Sequence, residues 1–183
     1  MSHKDTINLT DGAGAGLVAR HEVNDFVGVA GRFTVTCRDA DGNIRWEDET
    51  PNLVVTVGKN DLLNVYFKST GSYTSAFYVG LKSAGSIAAG DTMASHTWTD
   101  ITGYSNATRP AFTAATSTAA STTNSASPAV FNINATNTIG GCFITTSSTV
   151  GGTTGTLFSA TDFASSRAVL SGDTLTVTYT VSC

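Results

Sequence analysis

The sequence predicts an all-β fold: a β-sandwich of jelly-roll or Greek-key type, with an extended N-terminal arm and one short helix. Three observations carry this. Apolar and polar residues alternate in several short runs, as they do in a strand with one buried face. Gly, Asn, Asp and Ser cluster between those runs, where turns need them. Only one segment has helical spacing, so nothing alternates strand with helix to build a parallel sheet. A chain of 183 residues is long enough to bury a core without metal or disulfide staples.

Residues 1 to 28 carry scattered apolar side chains, "GAGAG" at 12 to 16 and no sustained period, which reads as an extended arm. Residues 29 to 183 then form one sandwich domain. From Arg32 the period is two: Phe33, Val35 and Cys37 share one face and Thr34, Thr36 and Arg38 the other. "DADGN" supplies an Asp-Gly turn and "IRWED" returns as the hairpin partner. "NLVVTV" predicts a further strand before Gly58. In "KNDLLNVYFKS", residues 59 to 69, Leu62, Leu63, Tyr66 and Phe67 fall at helical spacing. Asn60 or Asp61 is expected to cap this helix and the apolar stripe to lie on a sheet.

"SAFYVGLK" predicts a short buried strand, and "SAGSIAAGDTMASHTW" a long Gly/Ala-rich connection. The stretch "AATSTAASTTNSAS", residues 114 to 127, has no charge, no aromatic and no aliphatic larger than alanine. Alternating segments on both sides make it a connection within one sandwich, expected to pack on a neighbouring molecule. Phe131, Ile133 and Ala135 alternate with Asn132, Asn134 and Thr136. "STVGGTTGTLFSATDFASS" is loop-like, and "RAVL" resumes a strand. In "LTVTYTVSC", Leu175, Val177, Tyr179, Val181 and Cys183 are expected to face in, as in an antiparallel strand with one solvated face.

With a net charge of −4 and a pI near 5.1, the chain has no basic stripe for phosphate contacts, so no direct nucleic-acid partner is expected. No apolar run approaches the length of a membrane span, and the N-terminus lacks the apolar core of a secretory signal. The expectation is synthesis in a cytoplasm, with the sequons at Asn8, Asn106 and Asn134 unmodified. Charge is uneven: of the 24 charged side chains, residues 101 to 183 hold only Arg109, Asp162, Arg167 and Asp173. A surface that neutral suits packing in an assembly or a cover of hydroxyls.

No constellation for catalysis is visible. "HEVND" at 21 to 25 has Asp25 where a zinc-binding HExxH would need its second histidine. Asp39, Asp41 and Asn43 sit at alternate positions like calcium ligands, but Ile44 stands where the obligatory glycine belongs and no glutamate follows at the twelfth position. "GAGAG" has no strand before it, so it is not a dinucleotide loop. Ser95 and His96 are adjacent without an orienting acid. The expectation is a protein without enzymatic activity, cofactor or metal. The cysteines at 37, 142 and 183 lack metal spacing; Cys37 and Cys183 share parity with apolar neighbours and are expected to be buried thiols, with a disulfide between them as the alternative. Trp46 and Trp98 are either core, interface anchors or carbohydrate platforms, and Tyr73 is a further candidate for a carbohydrate surface.

From Asn52 onward the chain resembles a family of tailed-bacteriophage virion proteins. The matching segments are "NLVVTVGKNDLL", "AFYVGL", "AAGDTMASHTWTDITGYSNATRPAF", "SPAVFNINATNTIGGCFITTSSTVGGTTGTLFSATDFAS" and "AVLSGDTLTVTYTVS". The resemblance implies a virion part and carries no catalytic residue. Combined with the arm and the low charge, it leads to the expectation of a capsid decoration or cement protein. Such a protein would sit on the capsid surface, binding the major capsid protein and other copies of itself. The interface residues expected are Leu9, Leu17, Val18, Val23 and Phe26 on the arm, Trp46, Tyr73 and Trp98, and Thr118 and Asn124 in the low-complexity stretch. A tail, collar or head-fibre component, a carbohydrate-binding module and a hydrolase are the alternatives.

Overall fold

The computed structural model describes residues 28–68 and 76–183. Leu9, Leu17, Val18, Val23, Phe26 and Tyr73 lie outside the described residues. The rest is a sandwich of two five-stranded antiparallel sheets. Strands β1 (Ala30–Arg38) and β2 (Ile44–Pro51) make the predicted hairpin. Its turn is organised by Asp39, whose carboxylate accepts hydrogen bonds from the backbone N–H groups of Asp41 and Asn43 at 3.0 and 2.9 Å. Gly42 supplies a φ of +87°, which a side chain would resist.

The C-terminal strand β10 (Thr174–Ser182) lies on the other side of β1, pairing Phe33 with Tyr179 and Val35 with Val177. Because both strands alternate with period two, this register puts both apolar sets on one face. The far edge of β10 is shared end to end by β7 (Ala129–Asn132) and β6 (Ser121–Thr123). Asn124 bridges the gap between them: its side-chain amide donates to the Val177 carbonyl at 3.2 Å and accepts from the Tyr179 N–H at 2.7 Å. A side chain thus replaces the backbone of a missing strand residue. Asn124, expected at an interface, is therefore an interior ladder rung, 1% exposed.

The second sheet runs in the order β3 (Leu53–Val54), β9 (Leu157–Val169), β8 (Asn137–Thr145), β4 (Phe77–Lys82), β5 (Ala111–Phe112). Here the expectation needs correction. The segment read as a loop contains most of β9, thirteen residues long, and the strand predicted over "NLVVTV" shrinks to the two residues of β3. The reason is that this sheet is covered on both faces. Cys142 and Ile144 join the main core between the sheets, whereas Phe143 and Leu157 join a second cluster with Val55, Met93 and Trp98 on the outer face. A strand buried on both sides loses its alternation, and residues 139 to 145 of β8 are buried without a break. The register also skips: Ile144 faces Ser159 while Thr145 faces Leu157, leaving Phe158 as the extra residue of a bulge.

The helix is likewise displaced. Helix α1 (Thr56–Leu63) begins before Asn60 and Asp61, continues as a π-helical segment (Asn64–Lys68), and has Val55 at its N-cap without a side-chain cap. Its first amides are satisfied instead by neighbouring backbone: Val55 donates to Phe158 and Thr56 to Ala89. The helix touches the sheet through Gly58, where a Cβ would collide with the Phe158 backbone. This close backbone contact turns the leucine stripe outward, so that Leu62, Leu63, Val65 and Phe67 are exposed.

Asn124→Ala removes two side-chain hydrogen bonds and leaves the buried Tyr179 N–H without its acceptor. A loss of about 2–4 kcal/mol in unfolding free energy is expected from chemical denaturation, at about 1–2 kcal/mol per bond.

Candidate functional site

The two sides of the sandwich are closed differently. Along one side, β2 is sealed to β9 by its inward positions taken two apart. Trp46 donates its indole N–H to the Ala168 carbonyl at 3.0 Å, Asp48 receives Arg167 at 3.0 and 2.8 Å, and the Thr50 and Thr161 hydroxyls meet at 3.2 Å. Trp46 thus belongs to a seam within the fold and packs edge-on against Phe163 at a centroid distance of 6.0 Å.

Among the described residues, the end where β1 begins and β10 finishes is open. A groove of about 580 Å³ enters the core there, a size typical of ligand and peptide pockets. Phe77, Phe112, Ile144, Phe158, Tyr179 and Val181 form its apolar walls, and Leu62 of α1 reaches its rim. The Tyr179 hydroxyl is held by Asn52 and Ser159 at 3.0 and 3.3 Å, tying the two sheets together. Burial pushes this phenol up to about 12, although both hydrogen bonds pull it the other way.

The low-complexity stretch now has a place. Residues 113 to 120 cross from β5 in one sheet to β6 in the other, and Thr113, Ala114, Ser117 and Ala120 form part of the groove wall. Small uncharged side chains are what such a crossing requires. The stretch is held by its own fold: Thr118 and Ser121 exchange backbone hydrogen bonds around a two-residue turn, and Ala115 donates to Thr123. Thr118 itself is exposed. Ala119 and Ala120 have φ values of 50° and 55°, the left-handed conformation that two-residue hairpins favour and that Asn-Gly adopts most readily.

The charge asymmetry resolves inside the molecule. Each charged residue of 101 to 183 pairs with one from the first hundred: Arg109 with Asp100 at 2.7 Å, Asp162 with Lys82, Arg167 with Asp48, and Asp173 with Arg45 at 3.1 Å. Arg109 and Lys82 are fully buried. Arg109 also donates to the carbonyls of Ser147 and Gly152 and lies over the Phe143 ring. Lys82 donates to the Gly85 carbonyl and faces the Trp98 ring; burial lowers its pKa, and Asp162 opposes that.

Other sequence-predicted candidates are placed elsewhere. Trp98 is interior, 3% exposed, so it can be neither an interface anchor nor a sugar platform. His96 stacks on it at 3.6 Å, with Nδ1 donating to the Trp98 carbonyl at 2.7 Å, a packing role for the ring. Asp39 is engaged within its turn, where the backbone N–H of Asn43 holds its carboxyl below the usual range. Among the described residues, no three of His, Cys, Asp and Glu are grouped to hold a metal ion. Cys37 is buried and its thiol is pushed up to about 12 by burial and the adjacent Asp173; Cys142 is buried and raised as well. Cys183, expected to face the core, is exposed at the groove mouth. Cys37 pairs with Leu175 at the opposite end of β10, so the disulfide considered from the sequence does not form. Comparison with family models, curated proteins and solved structures yields no match.

Two outcomes follow. Replacing Ala119-Ala120 by Asn-Gly is expected to stabilise the fold by about 1–2 kcal/mol in a denaturant titration, since left-handed backbone costs alanine about that much. Thiol titration at pH 8 is expected to count one reactive cysteine in the native protein and three after unfolding. Cys37 and Tyr179 hold their protons to about pH 12 when folded, against 9.0 and 10.0 when unperturbed. This contribution to stability is complete below pH 9 and is lost as pH rises from there toward 12, which a melting series across that window checks.

Proposed function

We propose that this chain is a non-enzymatic structural protein of a tailed-bacteriophage virion, a capsid decoration or cement protein. It is made in the bacterial host cytoplasm and bound on the capsid surface to the major capsid protein lattice and to copies of itself. The resemblance of residues 52 to 183 to virion proteins motivates this reading. The single structural observation in its favour is that Leu62, Leu63 and Val65 are each exposed on one short helical element whose Leu62 lines the groove. Exposed large apolar side chains grouped on one short element suit a protein contact. The charges of the second half are largely consumed within the fold, so such a contact would form by apolar burial with little dependence on salt. A protein that binds the assembled lattice better than free subunits stabilises the shell by mass action.

The test is cosedimentation with purified shells. The double variant Leu63→Asp, Val65→Asp is expected to weaken shell binding at least about tenfold, the loss of roughly 1.4 kcal/mol, with an unchanged melting temperature. Undiminished binding, or imaging that places the chain in the neck or tail alone, would refute the capsid reading.

A further inference from the structure

Lys82 and Asp162 stand two strands apart yet touch. In the register of the second sheet Lys82 of β4 lies opposite Gly141 of β8, and Gly141 opposite Asp162 of β9, so the three share one face of the sheet. Two strand spacings make about 10 Å, at about 4.8 Å each. A lysine stem spans most of that distance only if the residue between is small. Gly141 meets this need, and a Cβ there would collide with the Thr161 carbonyl. The Lys82 ammonium therefore reaches over β8 to the Asp162 carboxylate. It is fully buried and lies 5.5 Å from the centre of the Trp98 ring, which itself packs on Phe143.

We propose that Lys82 and Asp162 condense without an external catalyst into an intramolecular amide between Nζ and Cγ, releasing one water. A charged pair is costly away from water, and moving one proton from the ammonium to the carboxylate leaves a neutral amine beside a carboxylic acid. Burial already favours the neutral amine. The Nζ lone pair attacks Cγ, the bond from Cγ to the hydroxyl breaks, and a second Nζ proton leaves with that hydroxyl as water. The third proton stays on the amide nitrogen, where the Gly85 carbonyl already accepts from Nζ at 3.3 Å. Water departs on the Asp162 side, which is 35% exposed. Groups held in contact react at an effective concentration on the order of 10⁵ M, which drives a condensation that free amine and acid do not complete in water. The ion pair forms with the fold and the amide follows it, joining β4 to β9 across β8. This proposal does not depend on the virion reading.

Intact mass spectrometry of the purified, denatured protein is the test. The mass is expected to fall one water short of that of the linear chain. Chymotrypsin is expected to release a branched peptide that joins the segment holding Lys82 to the segment holding Asp162. Lys82→Arg and Asp162→Ala are expected to restore the full mass, since neither can form the amide. A wild-type protein of full mass would overturn the proposal and leave the two residues an ion pair. A deficit that persists in Lys82→Arg would overturn it as well, because the dehydration would then lie elsewhere, as at Asp41-Gly42. The wild-type mass and the branched peptide are read on the native sequence, so the outcome stands even where a variant fails to fold.

Discussion

The fold depends on two buried cations. Lys82 ends β4 and Arg109 belongs to the connection that runs from residue 83 to residue 110, both buried on the outer face of the second sheet. Lys82 holds the connection through Gly85 and the Trp98 ring, and Arg109, paired with Asp100 within it, fastens it to the Ser147 and Gly152 carbonyls and the Phe143 ring. A buried charge without a partner costs several kcal/mol, so the connection cannot lift away without exposing both cations and the aromatic cluster around Phe143. The long Gly/Ala-rich segment is thereby converted from a loop into a third layer. Its backbone also completes the edge of β4, where Ile101 donates to Leu81 and Val79 donates to Pro110.

Covering one sheet twice has consequences for the other side of the molecule. The seam between β2 and β9 uses polar partners at alternate positions and shuts one flank. Among the described residues, the opposite end is crossed by the small side chains between β5 and β6, which do not fill the space between the sheets. The groove is the result. It lies beside α1, whose glycine contact with Phe158 orients the leucines outward, and the apolar rim and the apolar interior are therefore continuous. Among the described residues, the apolar groove and the exposed Leu62 and Leu63 of α1 are therefore neighbours.

Legibility in the sequence followed burial geometry. The hairpin of β1 and β2 and the run of β10 were readable because each has one solvated face, so that the period of two survives. Most of β9 was hidden because both of its faces are buried along residues 157 to 161 and a bulge at Phe158 breaks the register. The helix was readable as a helix, but its orientation was not: the stripe of Leu62 and Leu63 pointed to a buried face, and the smaller Gly58 took that role by allowing backbone to meet backbone. Trp98 and Asn124 looked like surface candidates because neither aromatic nor amide character distinguishes an interface from a satisfied interior.

By itself the sequence determined the all-β class, the strand pattern on singly buried faces, the turn at Asp39 and the uneven placement of charge. These follow from local rules, the period of two and the chemistry of turn residues, which act over a few neighbours. Only the tertiary structure decided which charges pair, that Cys183 is exposed at a groove mouth while Cys37 is sealed, and that residues 114 to 120 form a wall rather than a linker. Each of those depends on contacts between segments far apart in the chain, such as Arg45 with Asp173 and Lys82 with Asp162, and no local pattern encodes which distant partner a buried charge will find.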